Sequence, residues 1–490
     1  MKRFLAILVL LALSACCLVS CQDGDDNSSQ NVSLDNSNSK NEFKDAEGNY
    51  VPRHEVKDLE DRPFTIIVRG PTYGTYASDD FVNNTGLYGE LIDDAVKKRD
   101  DTVELLYNVD LVVEVSNSVY GDVLLDCQSN LGTYDAIMPS LTELSSLASQ
   151  NYLYDLTALE NFDIEAPWYD KSCTEAFSIN DQVYFTTGDL TILNKVNTPS
   201  ILFNKEMAKK YFPQEDFYQL VRDKKWTFDK LVQCAKDVTS ISTSDGSYSD
   251  ENQYGMVTAY GDPGCFYGAS GELICGKDAD DLPYLMIGST TRSVTIAKKI
   301  LDTYKDANWL IFAQHCAAPI WETSFAIFYE GRALFRPSVF SATTKLRSLS
   351  QIEFGVLPMP LMDETQTKYN SYCVTGATAG VAIPICAKDP EFSAYMLDAY
   401  SAWSKNYLTV AYYEVNLRYK DLRDDESEEM LDIIFDNIVY DIGECYNFGG
   451  LHTMFSELAE ARSSDIASRI GAKKDEAQIR IDELKELYAD

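Results

Sequence analysis

Phe64-Thr65-Ile66-Ile67-Val68-Arg69-Gly70-Pro71 opens with five consecutive β-favouring residues and stops on a Gly-Pro pair, the pattern of a buried strand. Downstream, Leu91, Ile92, Ala95, Val96, Val103 and Leu106 recur at helical spacing between Tyr88 and Tyr107. Leu111-Val112-Val113-Glu114-Val115 is strand-like again, and Tyr134-Asp135-Ala136-Ile137-Met138 is a short strand ended by Pro139. Strand, helix and strand in alternation predict a parallel sheet with helices outside it. A second series starts near Ser200. Ile201-Leu202-Phe203 leads into a helix over 205–211, and Thr227 N-caps a helix that follows Trp226. Residues 325–335 run into a strand at Gly331-Arg332-Ala333-Leu334-Phe335, and 354–357 form another that ends at Pro358 and Pro360. From about Asp465, Ile466, Ile470, Ala477, Ile481, Leu484 and Tyr488 mark an amphipathic packing helix. The class is α/β, and 490 residues exceed what one hydrophobic core usually supports, so two lobes are expected.

The N-terminus has a different character. Lys2 and Arg3 precede an apolar run from Phe4 to Leu13 that is too short for a comfortable membrane span. Leu18-Val19-Ser20-Cys21 resembles the bacterial lipobox, which makes 1–20 a signal peptide and Cys21 a lipidated mature N-terminus. Leu13-Ser14-Ala15-Cys16 fits that pattern less well, and an ordinary secretory peptide is the alternative. Cys21 to Lys40 holds only Val32 and Leu34 as aliphatic residues, so 21–61 is expected to be a solvated, disordered tether. The expected location is the outer face of the cell membrane.

Composition narrows the chemistry. A net charge of −35 argues against nucleic acid, anionic lipid surfaces and polyanionic ligands, and suits a neutral or cationic one. Aromatic residues make up 12% of the chain, including 31 Tyr, a supply of ring faces for amphipathic ligands such as sugars. The cysteines beyond the leader form no C-x-x-C pair and read mostly as small buried apolar residues, with Cys265–Cys275 the one candidate disulfide. His54, His315 and His452 are the only histidines and have no metal-ligand spacing, so neither a metal nor a cofactor is expected. G-x-S-x-G, H-E-x-x-H and phosphate-loop motifs are absent, which leaves a two-carboxylate glycoside hydrolase as the remote catalytic alternative. Trp226 reads as structural, and Trp321 and Trp403, on helices, as core.

An ordered set of short motifs joins these elements. They are Asp93-Asp94-Ala95-Val96-Lys97-Lys98-Arg99 with Tyr107-Asn108-Val109, Tyr134-Asp135-Ala136-Ile137, Tyr154-Asp155-Leu156-Thr157, and Phe203-Asn204-Lys205. Trp226-Thr227-Phe228-Asp229-Lys230-Leu231, Phe328-x-x-Gly331-Arg332-Ala333-Leu334-Phe335, Phe354-Gly355-Val356-Leu357-Pro358-Met359-Pro360 and Val381-Ala382-Ile383-Pro384 follow. In this order, over roughly 62–480, the chain resembles the bacterial extracellular solute-binding proteins of family 1, the maltose-binding-protein-like lipoproteins of ABC importers. The resemblance implies a two-lobe periplasmic-binding-protein-like fold (type II) with the ligand cleft between hinged lobes. Lobe one would be 62–187 plus 375–412 and lobe two 199–360 plus 413–490, with crossings at 188–198 and 361–374. It also implies a monomer with no catalytic role, a small-molecule solute, usually a saccharide, and ABC permease subunits as partners. A receptor for a peptide or amino sugar, or a sensing subunit of a signalling system, are the alternatives.

Ligands of open α/β sheets bind beyond the C-terminal ends of strands. That rule and the resemblance together nominate Tyr73 and Tyr76 after the first strand, and Ser140 after the strand at 134–138. In the second lobe they nominate Phe266 and Tyr267, then Arg336, Ser338 and Phe340, and finally Tyr446, Asn447 and Phe448. Relatives often carry an aromatic where Ser140 stands, which argues against a maltodextrin-like site.

Overall fold

The structure, a computed structural model, describes residues 42–489 apart from 84, 243–248, 250–251, 306, 350–351 and 418–424. The expected signal peptide, Cys16, Cys21 and tether residues 21–41 lie outside the described residues. Residues from Phe43 onward group as one compact unit.

β1 (Arg62–Arg69) pairs in parallel along its whole length with β2 (Val109–Ser116), Arg62 opposite Val109 and Arg69 opposite Ser116. Its other edge pairs with β3 (Ala136–Ile137). α1 (Glu90–Tyr107) makes the first crossover and buries Ile92, Val96, Val103 and Tyr107 on one face. It stops where Asn108 turns left-handed at φ 49°, a conformation asparagine tolerates. α2 (Val119–Ser129) makes the second crossover, and α3 (Leu141–Ala148) leaves β3.

The second sheet contains β4 (Pro199–Asn204), β5 (Tyr254–Thr258), β6 (Leu310–Phe312), β7 (Ala333–Val339) and β8 (Phe354–Leu357), in the spatial order β8-β4-β7-β5-β6. β5 is parallel to β6 and β7, and β4 is antiparallel to β7 and β8. α4 (Phe228–Val238) begins where Thr227 Oγ1 accepts the Lys230 N–H at 3.2 Å, the expected cap. It lies so close to β5 that a Cβ on Gly255 would stand 2.1 Å from the Ala235 carbonyl oxygen. α5 (Asp262–Ala269) follows β5, and α6 (Ile320–Tyr329) precedes β7. Trp226 is fully buried, donates from Nε1 to the Pro358 carbonyl at 2.9 Å and packs against Phe217 and Phe335.

After β8 the chain returns to the first sheet. Residues 379–384 run antiparallel beside it through Ile137–Ala382 and Thr186–Val381 bridges, and α7 (Pro390–Ser404) packs on α1. Trp403 is buried there, stacked on Tyr407. α8 (Ile466–Leu487), capped by Asp465, completes the chain.

Two features differ from the sequence reading. The tether was expected to run to residue 61, yet 43–61 pack on the first sheet's layer. Phe43 meets Trp168 edge-on, Tyr50 exchanges two 2.8 Å hydrogen bonds with Asn406, and the Tyr395 hydroxyl donates to the Glu55 carbonyl. Phe43 and Tyr50 supply the apolar area that Cys21 to Lys40 lacks. The residues of the expected crossing at 188–198 are buried: Asp189 binds Lys195, Lys405 and Thr409, and Asp80 accepts from Thr191 and the Ile192 N–H. Finally, the C-terminal segment reaches both layers, since Tyr488 packs on Tyr184 and the Ser145 hydroxyl donates to the Cys445 carbonyl.

Candidate functional site

β5 and β7 end at one cavity of about 400 Å³, which the segment after β1 also lines. From the first sheet's side come Thr75 and Tyr76, in the short 3-10 segment Pro71–Tyr76 that follows β1. From the other side come Thr258, Ala259 and Asp262 at the junction of β5 and α5, and Arg336 to Val339 on β7. Trp321, Glu322 and Phe325 project from the first turns of α6, and Lys345 from the helix Ser341–Leu349.

The wall is chemically ordered. The Arg336 guanidinium donates to the Ser324 carbonyl at 3.0 Å and to its hydroxyl at 3.3 Å, and lies 4.0 Å over the Phe325 ring. Lys345 approaches the same ring at 5.6 Å. Burial lowers Arg336 to about 10, still fully charged near neutrality. Asp262 accepts from the Thr258 hydroxyl at 2.6 Å and the Ala259 N–H at 2.8 Å, and loss of hydration pushes its carboxyl up to about 6. Two basic groups thus face two acidic ones, Asp262 and Glu322, around three rings, Tyr76, Trp321 and Phe325. Such a wall suits a polar ligand of no strong net charge, with C–H faces for the rings and hydroxyls for the polar groups.

Asp262 and Val339 also line a second cavity of about 340 Å³, which carries Glu444, Tyr372 and His452 and, among the described residues, no lysine or arginine. Burial pushes Glu444 up to about 7.

Of the residues nominated from sequence, Tyr76, Arg336 and Ser338 come together in the first cavity. Tyr267 lines the second, its hydroxyl 2.8 Å from that of Ser293. The others lie elsewhere. Tyr73 is half-buried, and its hydroxyl accepts the Val119 N–H. Ser140 caps α3 in a reciprocal pair with Glu143, a use of serine that only helix geometry reveals. Phe266 and Phe340 are fully buried, edge-on to Phe228 and Phe435. Tyr446 and Phe448 stack on each other, and Asn447 is a left-handed turn residue at φ 51°. Cys265 and Cys275 are free thiols.

Trp321 is a correction: read as core, it is 48% exposed at the cavity rim. The available signal was α6 itself, which is apolar around more of its circumference than one core can cover. Among the described residues no helix is long and apolar enough to cross a membrane, and no three metal-ligating side chains gather.

Two buried carboxylates remote from the cavity set an acid–base signature. Asp398 and Asp441 are each 1% exposed, and burial pushes them up to about 7 and about 6. Each holds its proton more tightly folded than unfolded. Their contribution to stability is therefore complete below the ordinary carboxylate range and lost as pH rises through these values. Between about pH 4 and about pH 7, Asp398→Asn is expected to keep more of its melting temperature than the parent as pH rises. Equal pH dependence in parent and variant contradicts this.

No protein-family model and no curated protein sequence matches the chain. Solved structures do. A cyclo/maltodextrin-binding protein complexed with maltotetraose is similar at TM-score 0.55 and 13% identity, over 86% of this chain and 96% of that one. An ABC substrate-binding protein from Listeria monocytogenes in complex with cycloalternan is similar at TM-score 0.53 and 11% identity, over 87% and 98%. The maltose-binding periplasmic protein from Listeria monocytogenes in complex with maltose is similar at TM-score 0.53 and 15% identity, over 87% and 99%. Beyond 85% coverage of each chain, with two sheets meeting at one cavity, this chain has the type II periplasmic-binding-protein fold of the maltose-binding proteins.

Proposed function

We propose that the chain is an extracytoplasmic receptor that captures a sugar or oligosaccharide for an ABC importer and releases it unchanged. The observation that carries this is the 400 Å³ cavity at the ends of β5 and β7, lined by Tyr76 from the segment after β1 and by Trp321 and Phe325 from α6. Its size is within the range of ligand sites, and its charges balance. The similar folds bound to maltose, maltotetraose and cycloalternan support a saccharide ligand. Ligand held from both sides stabilises the closed arrangement of two lobes, 62–187 plus 375–412 and 199–360 plus 413–490, and the permease reads that state. Calorimetry against an oligosaccharide panel, with X-ray scattering, is expected to give one binding sugar and a smaller radius of gyration. Absence of both for every sugar overturns the reading, and sustained cleavage of a chromogenic glycoside replaces it with a hydrolase.

One observation favours a second reading, a ligand with a basic group such as an amino sugar. The second cavity has carboxylates at Asp262 and Glu444 and, among the described residues, no lysine or arginine in its wall. Competition between neutral and amino sugars in a thermal-shift assay separates the two.

The leader pattern supports a lipid anchor on Cys21. Cys21→Ser is expected to move the protein from the membrane fraction to the medium and abolish palmitate labelling. Retained labelling assigns the anchor to Cys16.

A further inference from the structure

We propose that Cys127 and Cys386 are a thiol pair that oxidises to a disulfide, stapling the last turn of α2 to the turn that precedes α7. The two sulfurs stand 3.3 Å apart across 259 residues of sequence. Cys386 also donates to Asp126 Oδ2 at 3.1 Å. Asp126 in turn is fixed by the Thr133 N–H and hydroxyl. The two backbones are pressed together at this point. Gly132, at φ 61°, lies where a Cβ would come within 2.5 Å of the Cys386 carbonyl oxygen. Both cysteines are 8% exposed, and exposed Leu125 and Ile385 flank them, so the pair sits just beneath the surface.

The surroundings assign the roles. The two thiols are in hydrogen-bond contact, and that contact lowers Cys127 and makes it the nucleophile. That same hydrogen bond, burial and the Asp126 carboxylate push the Cys386 thiol up. The co-reactant is a disulfide oxidant, R–S–S–R, either a small molecule or an oxidoreductase. The Cys127 thiolate attacks one of its sulfurs, forming a Cys127–S–S–R bond and expelling RS⁻. Cys386 then passes its proton to Asp126 and attacks the Cys127 sulfur, forming the internal disulfide and expelling the second RS⁻. The protein gives up two electrons and two protons, and the oxidant leaves as two RSH. Because the bond closes a long loop, it restricts the unfolded chain and raises the melting temperature.

The test is incubation of the folded chain with oxidised glutathione, followed by alkylation, intact mass and peptide mapping, with dithiothreitol-treated protein as the reference. The expected result is a product two hydrogen atoms lighter, a linked Cys127–Cys386 peptide and a higher melting temperature. Cys386→Ser is expected to stop at a glutathione adduct on Cys127. Mapping of the parent chain needs no variant to fold. Parent protein in which both cysteines alkylate fully, glutathione remains on Cys127, or either cysteine links to a different one overturns the proposal.

Discussion

Trp321→Ala is expected to weaken the tightest saccharide ligand by roughly 30-fold or more, about 2 kcal/mol, with the melting temperature unchanged. Trp321 combines a large ring with substantial exposure at the cavity rim, opposite the side that Tyr76 occupies. A ring in that position loses little conformational entropy on binding and removes the apolar face of a sugar from water. Its exposure in the free protein means that truncation opens no core cavity, which separates a binding effect from a folding effect. Trp321→Phe is expected to keep most of the affinity. Isothermal titration of parent and variants with one sugar checks both, and equal affinity in Trp321→Ala removes this residue from the site.

The largest expected loss of stability is at Trp226, packed on the second sheet. Trp226→Ala is expected to cost about 3–5 kcal/mol in urea unfolding. The indole has no exposed surface, and its ring centroid lies 5.9 Å from that of Phe217 and 5.5 Å from that of Phe335. Truncation leaves a void among rings too well packed to collapse into it. It also strips the Pro358 carbonyl of its 2.9 Å donor. Trp226→Phe keeps ring contact and loses only that donor, and is expected to cost about 1–3 kcal/mol. A Trp226→Ala protein within about 1 kcal/mol of the parent contradicts a core built on this indole.

Six strands were legible because they are short apolar runs, several cut off by Gly or Pro, as at Val68-Arg69-Gly70-Pro71 and Val356-Leu357-Pro358, whereas β5 and β6 carry no such stop and were not read. Tyr76, Arg336 and Ser338 were legible for a related reason: strand ends point to where ligands bind, and these residues follow or end a strand. The same rule misplaced Phe266. Only three residues separate β5 from α5, which starts at Asp262, so Phe266 falls on a buried helix face instead of in a loop. Trp321 and Phe325 were missed because helical periodicity separates faces without saying which of them meets a cavity. Tyr446 and Phe448 carry the aromatic chemistry of a platform, but the left-handed Asn447 between them brings the two rings against each other. Residues 43–61 were read as a continuation of the polar segment before them, and a few aromatic anchors were enough to fold them onto the first layer.

A crystal structure of the chain with the tightest saccharide from the calorimetric panel tests the central claim most directly. The account predicts sugar density in the cavity, one ring against Trp321 and hydroxyls within hydrogen-bond distance of Asp262 or Ser338. Density confined to a surface away from Tyr76 and Trp321 would contradict it.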